Sequence, residues 1–223
     1  MLVAAVIGSG IMAERLSAGN TAIALLANTI ATGAALVALI LTFGSVSGAH
    51  FNPAVSLADA MENGLDWHDL PFYVTGQIIG GCTGAVLAHA MFALPLVTYS
   101  RHARAGFPQL LSEFVASFGL LAVIWGCSRF RAATVPFAVA AYITSAYWFT
   151  ASTSFANPAV TIARCLSDTF AGIRPIDVLP FIGAQLCGAT AATLLFRWFK
   201  PISRTEATDV LVPHSGASRE FSG

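Results

Sequence analysis

Apolar runs of about 20 residues, each long enough to cross a ~30 Å hydrocarbon core, recur along most of the chain. They fall at roughly 21–43, 71–94, 110–127, 132–150 and 178–199, with a shorter one at 1–12. Only 10% of the 223 residues are charged, against about a quarter in a soluble domain whose surface water must wet. The chain therefore reads as an all-α integral membrane protein, a single domain over 1–199. Two semi-apolar stretches, 44–63 and 151–168, are too short and interrupted to span. The polar remainder, 200–223, reads as a disordered C-terminal tail.

The first run is anomalous, since Met1 to Met12 would make a helix of only ~18 Å. A signal peptide needs a basic start and a small-residue cleavage site; this chain has no basic start, and Glu14-Arg15 stand at the other place. The expectation is a shortened first helix that has lost its N-terminal half.

The sequence repeats. Ser-Gly-Ala-His-Phe-Asn-Pro-Ala-Val (47–55) is echoed by Ser-Thr-Ser-Phe-Ala-Asn-Pro-Ala-Val (152–160), with Asn52 and Asn157 105 residues apart. Gly76-Gln77 with Gly80 matches Ala184-Gln185 with Gly188, and Leu2–Gly8 aligns with Leu120–Gly126. In that alignment the counterpart of Glu113 would precede Met1. Repeat one covers 1–94 and repeat two 109–199, each with three spans and one half-length segment. Three is odd, so the halves enter the membrane with opposite polarity, an inverted 3+3 repeat whose site lies at the repeat interface near the midplane. Charge bias does not orient it: with the N-terminus inside, six Lys/Arg lie on inner segments and five on outer ones.

Asn is a favoured N-cap, and Pro at the first helical position needs no N–H partner. Asn52-Pro53-Ala54 and Asn157-Pro158-Ala159 thus open short re-entrant helices over 53–62 and 158–168. Such half-helices are tolerated at membrane depth only where protein or a watery cavity surrounds them. Meeting end to end, they present two positive dipole ends and two amide donors to one point. A neutral molecule with lone pairs is welcomed there, and a cation is opposed.

On these motifs the chain resembles the major intrinsic protein family, the aquaporins and aquaglyceroporins, over residues 1 to about 199. The resemblance implies six transmembrane helices plus two half-helices, no cofactor, a lipid bilayer and a small neutral solute as partners, and a homotetramer in the cell (inner or plasma) membrane. It also implies a four-residue filter near the outer mouth, which ungapped counting places at Thr32, Ser145, Ser154 and Val160. Val160 stands where the family commonly has Arg, so the expected constriction is wide, uncharged and lined by three hydroxyls. The stretch Thr153 to Arg164 is most similar to the bacterial aquaporin-S type of arsenite channel. Arsenite, As(OH)3, is a neutral triol at physiological pH; glycerol or another small polyol, and water, are the alternative cargoes.

The resemblance implies that Glu113 accepts hydrogen bonds from loop amides that hold a half-helix, the alternative being an interfacial glutamate just reaching water, and His50 is expected to brace the first re-entrant loop rather than gate the pore. Arg164 either reaches back one turn to the filter, or contacts headgroups or Asp168. Gly76, Gly80 and Gly84 suggest close helix packing. Cys165 is read as a core or loop thiol, and Asp59, Glu62, Asp66 and Asp69 as a solvated face. The scattered cysteines, Cys82, Cys127, Cys165 and Cys187, suggest no metal site. No basic stripe points to nucleic acid, and no nucleophile–base pair points to an enzyme. An ion-coupled transporter would need midplane charges beyond Glu113, and an occluded structural protein would have little use for hydroxyls in its filter.

Overall fold

The computed structural model describes residues 1–199, so the polar tail at 200–223 lies outside the described residues. Among the described residues every regular element is helical: α1 (Leu2–Leu16), α2 (Thr21–Ser47), α3 (Pro53–Met61), α4 (Leu70–Met91), α5 (Phe107–Arg131), α6 (Val135–Phe149), α7 (Pro158–Arg164) and α8 (Pro175–Phe199). A single 3₁₀ turn, Ala132–Thr134, joins α5 to α6. Four helical stretches are long and apolar enough to cross a membrane: Thr21–Ser47, Leu70–Met91, Phe107–Phe149 and Pro175–Phe199. The helices α1 and α6 have 15 residues each, fewer than the ~20 that a span needs by length alone.

The boundaries follow local chemistry. Asn20 caps α2 by accepting from the amides of Ala22 and Ile23, and Gly48 ends it in the left-handed conformation (φ 68°). Large apolar side chains point outward, with Ile176 and Leu179 each 77% exposed, as a lipid-facing surface requires. Small residues face inward instead. A Cβ on Gly84 would meet the backbone nitrogen of Ala4 at 3.1 Å, and one on Gly188 would collide with the Phe114 carbonyl. Close backbone approach of this kind is how helices associate where lipid removes the hydrophobic drive.

Two expectations are corrected. Gly76 and Gly80 pack against nothing: a Cβ on either meets open space, and both line a cavity of about 580 Å³ with Phe43, Tyr73 and Gln77. The four acidic residues do not form one solvated face. Asp59 and Glu62 are buried; Asp59 faces His50 Nε2 at 3.4 Å, and Glu62 holds Arg197 across from α8. Unpaired carboxylates would be costly inside; Glu62 has the guanidinium of Arg197, and Asp59 has the His50 ring within reach.

The half-helices α3 and α7 enter from the two halves and meet at their N-termini. Each is preceded by a residue in left-handed backbone, Phe51 (φ 48°) and Ala156 (φ 47°), a conformation that costs a non-glycine residue on the order of 1–2 kcal/mol. The repeat reproduces this strain at the same position, one residue before each Asn.

Candidate functional site

The two Asn side chains tie the halves together by reciprocal bonds. Asn52 Nδ2 donates to the carbonyl of Ala156 at 2.7 Å, and Asn157 Nδ2 donates to that of Phe51 at 2.7 Å. Their Oδ1 atoms cap the half-helices, Asn52 accepting from Ala54 N and Asn157 from Ala159 N and Val160 N. Each amide has two N–H donors, and one of them is used in the cross-bond. Both Asn side chains line a narrow cavity of about 60 Å³. Pro53, Ala54, Pro158 and Ala159 are buried behind them in the first turns of α3 and α7.

Glu113 fixes the second loop. Fully buried on α5, it accepts from Phe155 N and Ala156 N at 2.9 Å each and from Gln185 Nε2 at 2.6 Å. These bonds offset the left-handed backbone of Ser154 (φ 50°) and Ala156. Gln185 also donates to Thr161 Oγ1 at 2.8 Å, as Gln77 donates to Ser56 Oγ at 2.9 Å in the other half. In the first loop His50 Nδ1 lies 3.1 Å from Ser56 Oγ, so it braces α3 while lining the cavity.

Three of the four residues expected to form a filter line one cavity. Thr32, Ser154 and Val160 line the same cavity and are almost fully buried. Ser145 does not join them. It is exposed on α6, and its hydroxyl donates to the Tyr142 carbonyl at 2.7 Å. Tyr147 takes the position instead, lining the cavity with its hydroxyl donating to Thr32 Oγ1 at 3.4 Å. The reason is helical phase: Val139, Ile143 and Tyr147 recur every four residues along the cavity wall, whereas Ser145 lies about 160° round from Tyr147. Ser154 Oγ is buried without a hydrogen-bond partner among the described residues, on a residue that lines the cavity.

An uncharged constriction is also corrected. Arg164, one turn beyond Val160 on α7, is 2% exposed and lines the cavity. It neither reaches headgroups nor holds Asp168, which Arg101 holds at 2.9 Å. Its guanidinium lies 3.4 Å from the ring centroid of Phe155, with that of Arg104 4.7 Å from the same ring. Arg104 is anchored by the carbonyls of Gly172 and Ser152, and burial lowers its guanidinium to about 10, still charged at neutral pH. Cys165 is half-buried, a free thiol that does not line the cavity. Among the described residues no group of three or more His, Cys, Asp or Glu is arranged to hold a metal ion.

Comparisons with known proteins agree with this architecture. The sequence model of the major intrinsic protein family matches residues 1–129 and again 125–221. The chain is 54% identical over 208 residues to aquaglyceroporin AqpS of Rhizobium meliloti (strain 1021), covering 92% of this chain and 89% of that protein. An aquaglyceroporin of Toxoplasma gondii is 33% identical over 67% of this chain and 61% of its own length. Aquaporin NIP2-2 of Zea mays is 31% identical over 79% of this chain and 62% of its own length.

Proposed function

Because the chain belongs to the major intrinsic protein family, we propose that it is a passive channel for small uncharged solutes, foremost arsenite, As(OH)3, and related metalloid hydroxides. Val160 carries this reading. Facing Thr32, Ser154 and Tyr147 in the cavity wall, it replaces a long branched cation with a short apolar side chain and widens the constriction. The free Ser154 hydroxyl and the second N–H of each Asn then offer hydrogen bonds along the path, which suits a compact triol. Flow follows the solute gradient, since no part of the proposed path couples it to an ion.

The assembly that goes with this function is a homotetramer in the cell membrane, and the family resemblance puts Thr32, Ser154 and Val160, with Tyr147 beside them, at the outer mouth. A glycerol or small-polyol channel is the second reading, favoured by the name aquaglyceroporin carried by two of the similar proteins.

Arsenite, glycerol and water fluxes into the same proteoliposomes test the proposal, with Val160→Arg as the paired variant. Fast arsenite entry that Val160→Arg sharply reduces is the expected result. Water flux alone, indifferent to the substitution, would return the protein to the water channels.

A further inference from the structure

Val160 removes a guanidinium from the cavity wall, but a guanidinium remains in that wall. Arg164 is 2% exposed, shares the cavity with Thr32, Ser154 and Val160, and makes no ion pair among the described residues. The nearby carboxylate of Glu113 is engaged by Phe155 N, Ala156 N and Gln185. Arg164 Nε donates to the Ala171 carbonyl, its one hydrogen bond among the described residues. Four of the five N–H donors of an arginine are then unused. Charge buried away from water without a counter-ion is strongly disfavoured, so this guanidinium is stable only if it faces the water and solute of the cavity. The Phe155 ring under it and the Ala171 carbonyl fix where it points.

We infer that Arg164 is a specificity-determining residue of the channel, supplying the cation-excluding charge and the hydrogen-bond donors of the filter from one helical turn beyond Val160. The inference rests on the channel reading above and deepens it. Width and charge, which a single arginine would set together, are divided between two positions. Val160 leaves room for a bulky triol, and Arg164 keeps the path positive without filling it. Its planar fork of N–H groups faces solute oxygens, whereas a metal cation or hydronium meets a fixed like charge.

The test measures sodium and glycerol entry into proteoliposomes of the full chain, for the unaltered protein, Arg164→Gln, Arg164→Lys and the double variant Val160→Arg/Arg164→Gln. Arg164→Gln keeps an amide donor for the Ala171 carbonyl, so thermal melting in detergent reports folding separately from charge. The expected result is a sodium leak raised by about tenfold or more in Arg164→Gln, little change in Arg164→Lys, and restored exclusion in the double variant. Sodium exclusion that persists in a folded, glycerol-conducting Arg164→Gln would overturn the assignment while leaving the channel reading intact. Equal leaks in Arg164→Gln and Arg164→Lys would also overturn it, since charge would then not be the cause. If the unaltered protein passes neither glycerol nor arsenite, or passes sodium as readily, the channel reading itself fails. Should Arg164→Gln not fold, Arg164→Lys and the single variant Val160→Arg decide: a leaky Lys variant that folds overturns the assignment, and a tight one that conducts glycerol upholds it.

Discussion

Gly80 and Gly188 occupy equivalent positions in the two repeats and meet opposite surroundings: Gly188 lies against the Phe114 carbonyl, and Gly80 faces open space. The difference separates two reasons for a glycine in a helix. At Gly188 a Cβ cannot enter without moving α5, whereas at Gly80 only the backbone entropy of glycine is at stake. In the 223-residue chain, Gly80→Ala is expected to stabilise by up to about 1 kcal/mol, the helix-propensity difference between the two residues. Gly188→Ala is expected to destabilise by about 1–3 kcal/mol through overpacking. Thermal unfolding of the two variants in one detergent checks both signs.

Removing the charge of Glu113 should be felt in both stability and flux. Its two oxygens accept three hydrogen bonds at 2.6–2.9 Å, two of them from the strained loop before Asn157. In Glu113→Gln one oxygen becomes an NH₂ group, which must face a donor it cannot satisfy. Hydrogen bonds to a charged acceptor contribute about 1.5–3 kcal/mol each, so the variant should lose at least about 2 kcal/mol. Because the loop positions Asn157 and Ser154 together, glycerol, arsenite and water fluxes should fall in parallel. A selective loss of one solute would show that Glu113 acts on the filter rather than on the loop.

Asp168 sets a pH dependence in the loop between α7 and α8. The backbone N–H of Arg101, and then its side chain, hold the Asp168 carboxyl below its ordinary value of 3.8. A carboxyl lowered by folding contributes stability above its unfolded pKa, and that contribution is lost as the pH falls through the folded value. The stability difference between the unaltered protein and Asp168→Asn should therefore be constant from neutral pH down to about pH 5. It should shrink once the pH drops below 3.8. Arg101 is 91% exposed at its side chain, so the difference should also diminish in high salt. Melting curves across that range test this sign.

What the sequence could show depended on how local the physics is. Asn52-Pro53 and Asn157-Pro158 announce helix starts because the cap and its helix lie within four residues, and the two half-helices begin where the motif says. Glu113 was legible for a different reason: a carboxylate in an apolar run must have partners, and the family resemblance implied that they are loop amides. Ser145 was misplaced because counting residues back across the 150–157 loop fixes a distance along the chain, not a helical phase. The stripe Val139, Ile143, Tyr147 carried the phase and pointed to Tyr147. The burial of Glu62 depends on Arg197 of α8, 135 residues away, and that of Asp59 on the direction of the His50 ring, neither of which local charge patterning reveals. The direction of Arg164 depends likewise on the carbonyl of Ala171, on a loop that the helix pattern says nothing about.

The exchange of Ser145 for Tyr147 separates the two positions experimentally. The Tyr147 ring is 4% exposed, lines the cavity, and reaches Thr32 through its hydroxyl. Tyr147→Ala opens the cavity wall beside Thr32 and should raise glycerol flux severalfold relative to water, because the larger solute gains more from added width. Tyr147→Phe keeps the width and loses only a long hydrogen bond of 3.4 Å, so it should leave the glycerol-to-water ratio near that of the unaltered channel. Ser145 points away from the cavity and bonds its own helix. Ser145→Val should therefore leave the ratio unchanged, with a stability effect within about 0.5 kcal/mol, as for surface substitutions generally. Stopped-flow water and glycerol permeabilities of the three variants check this. A ratio that moved with Ser145 and not with Tyr147 would restore the position given by counting and place α6 in a different rotation about its axis.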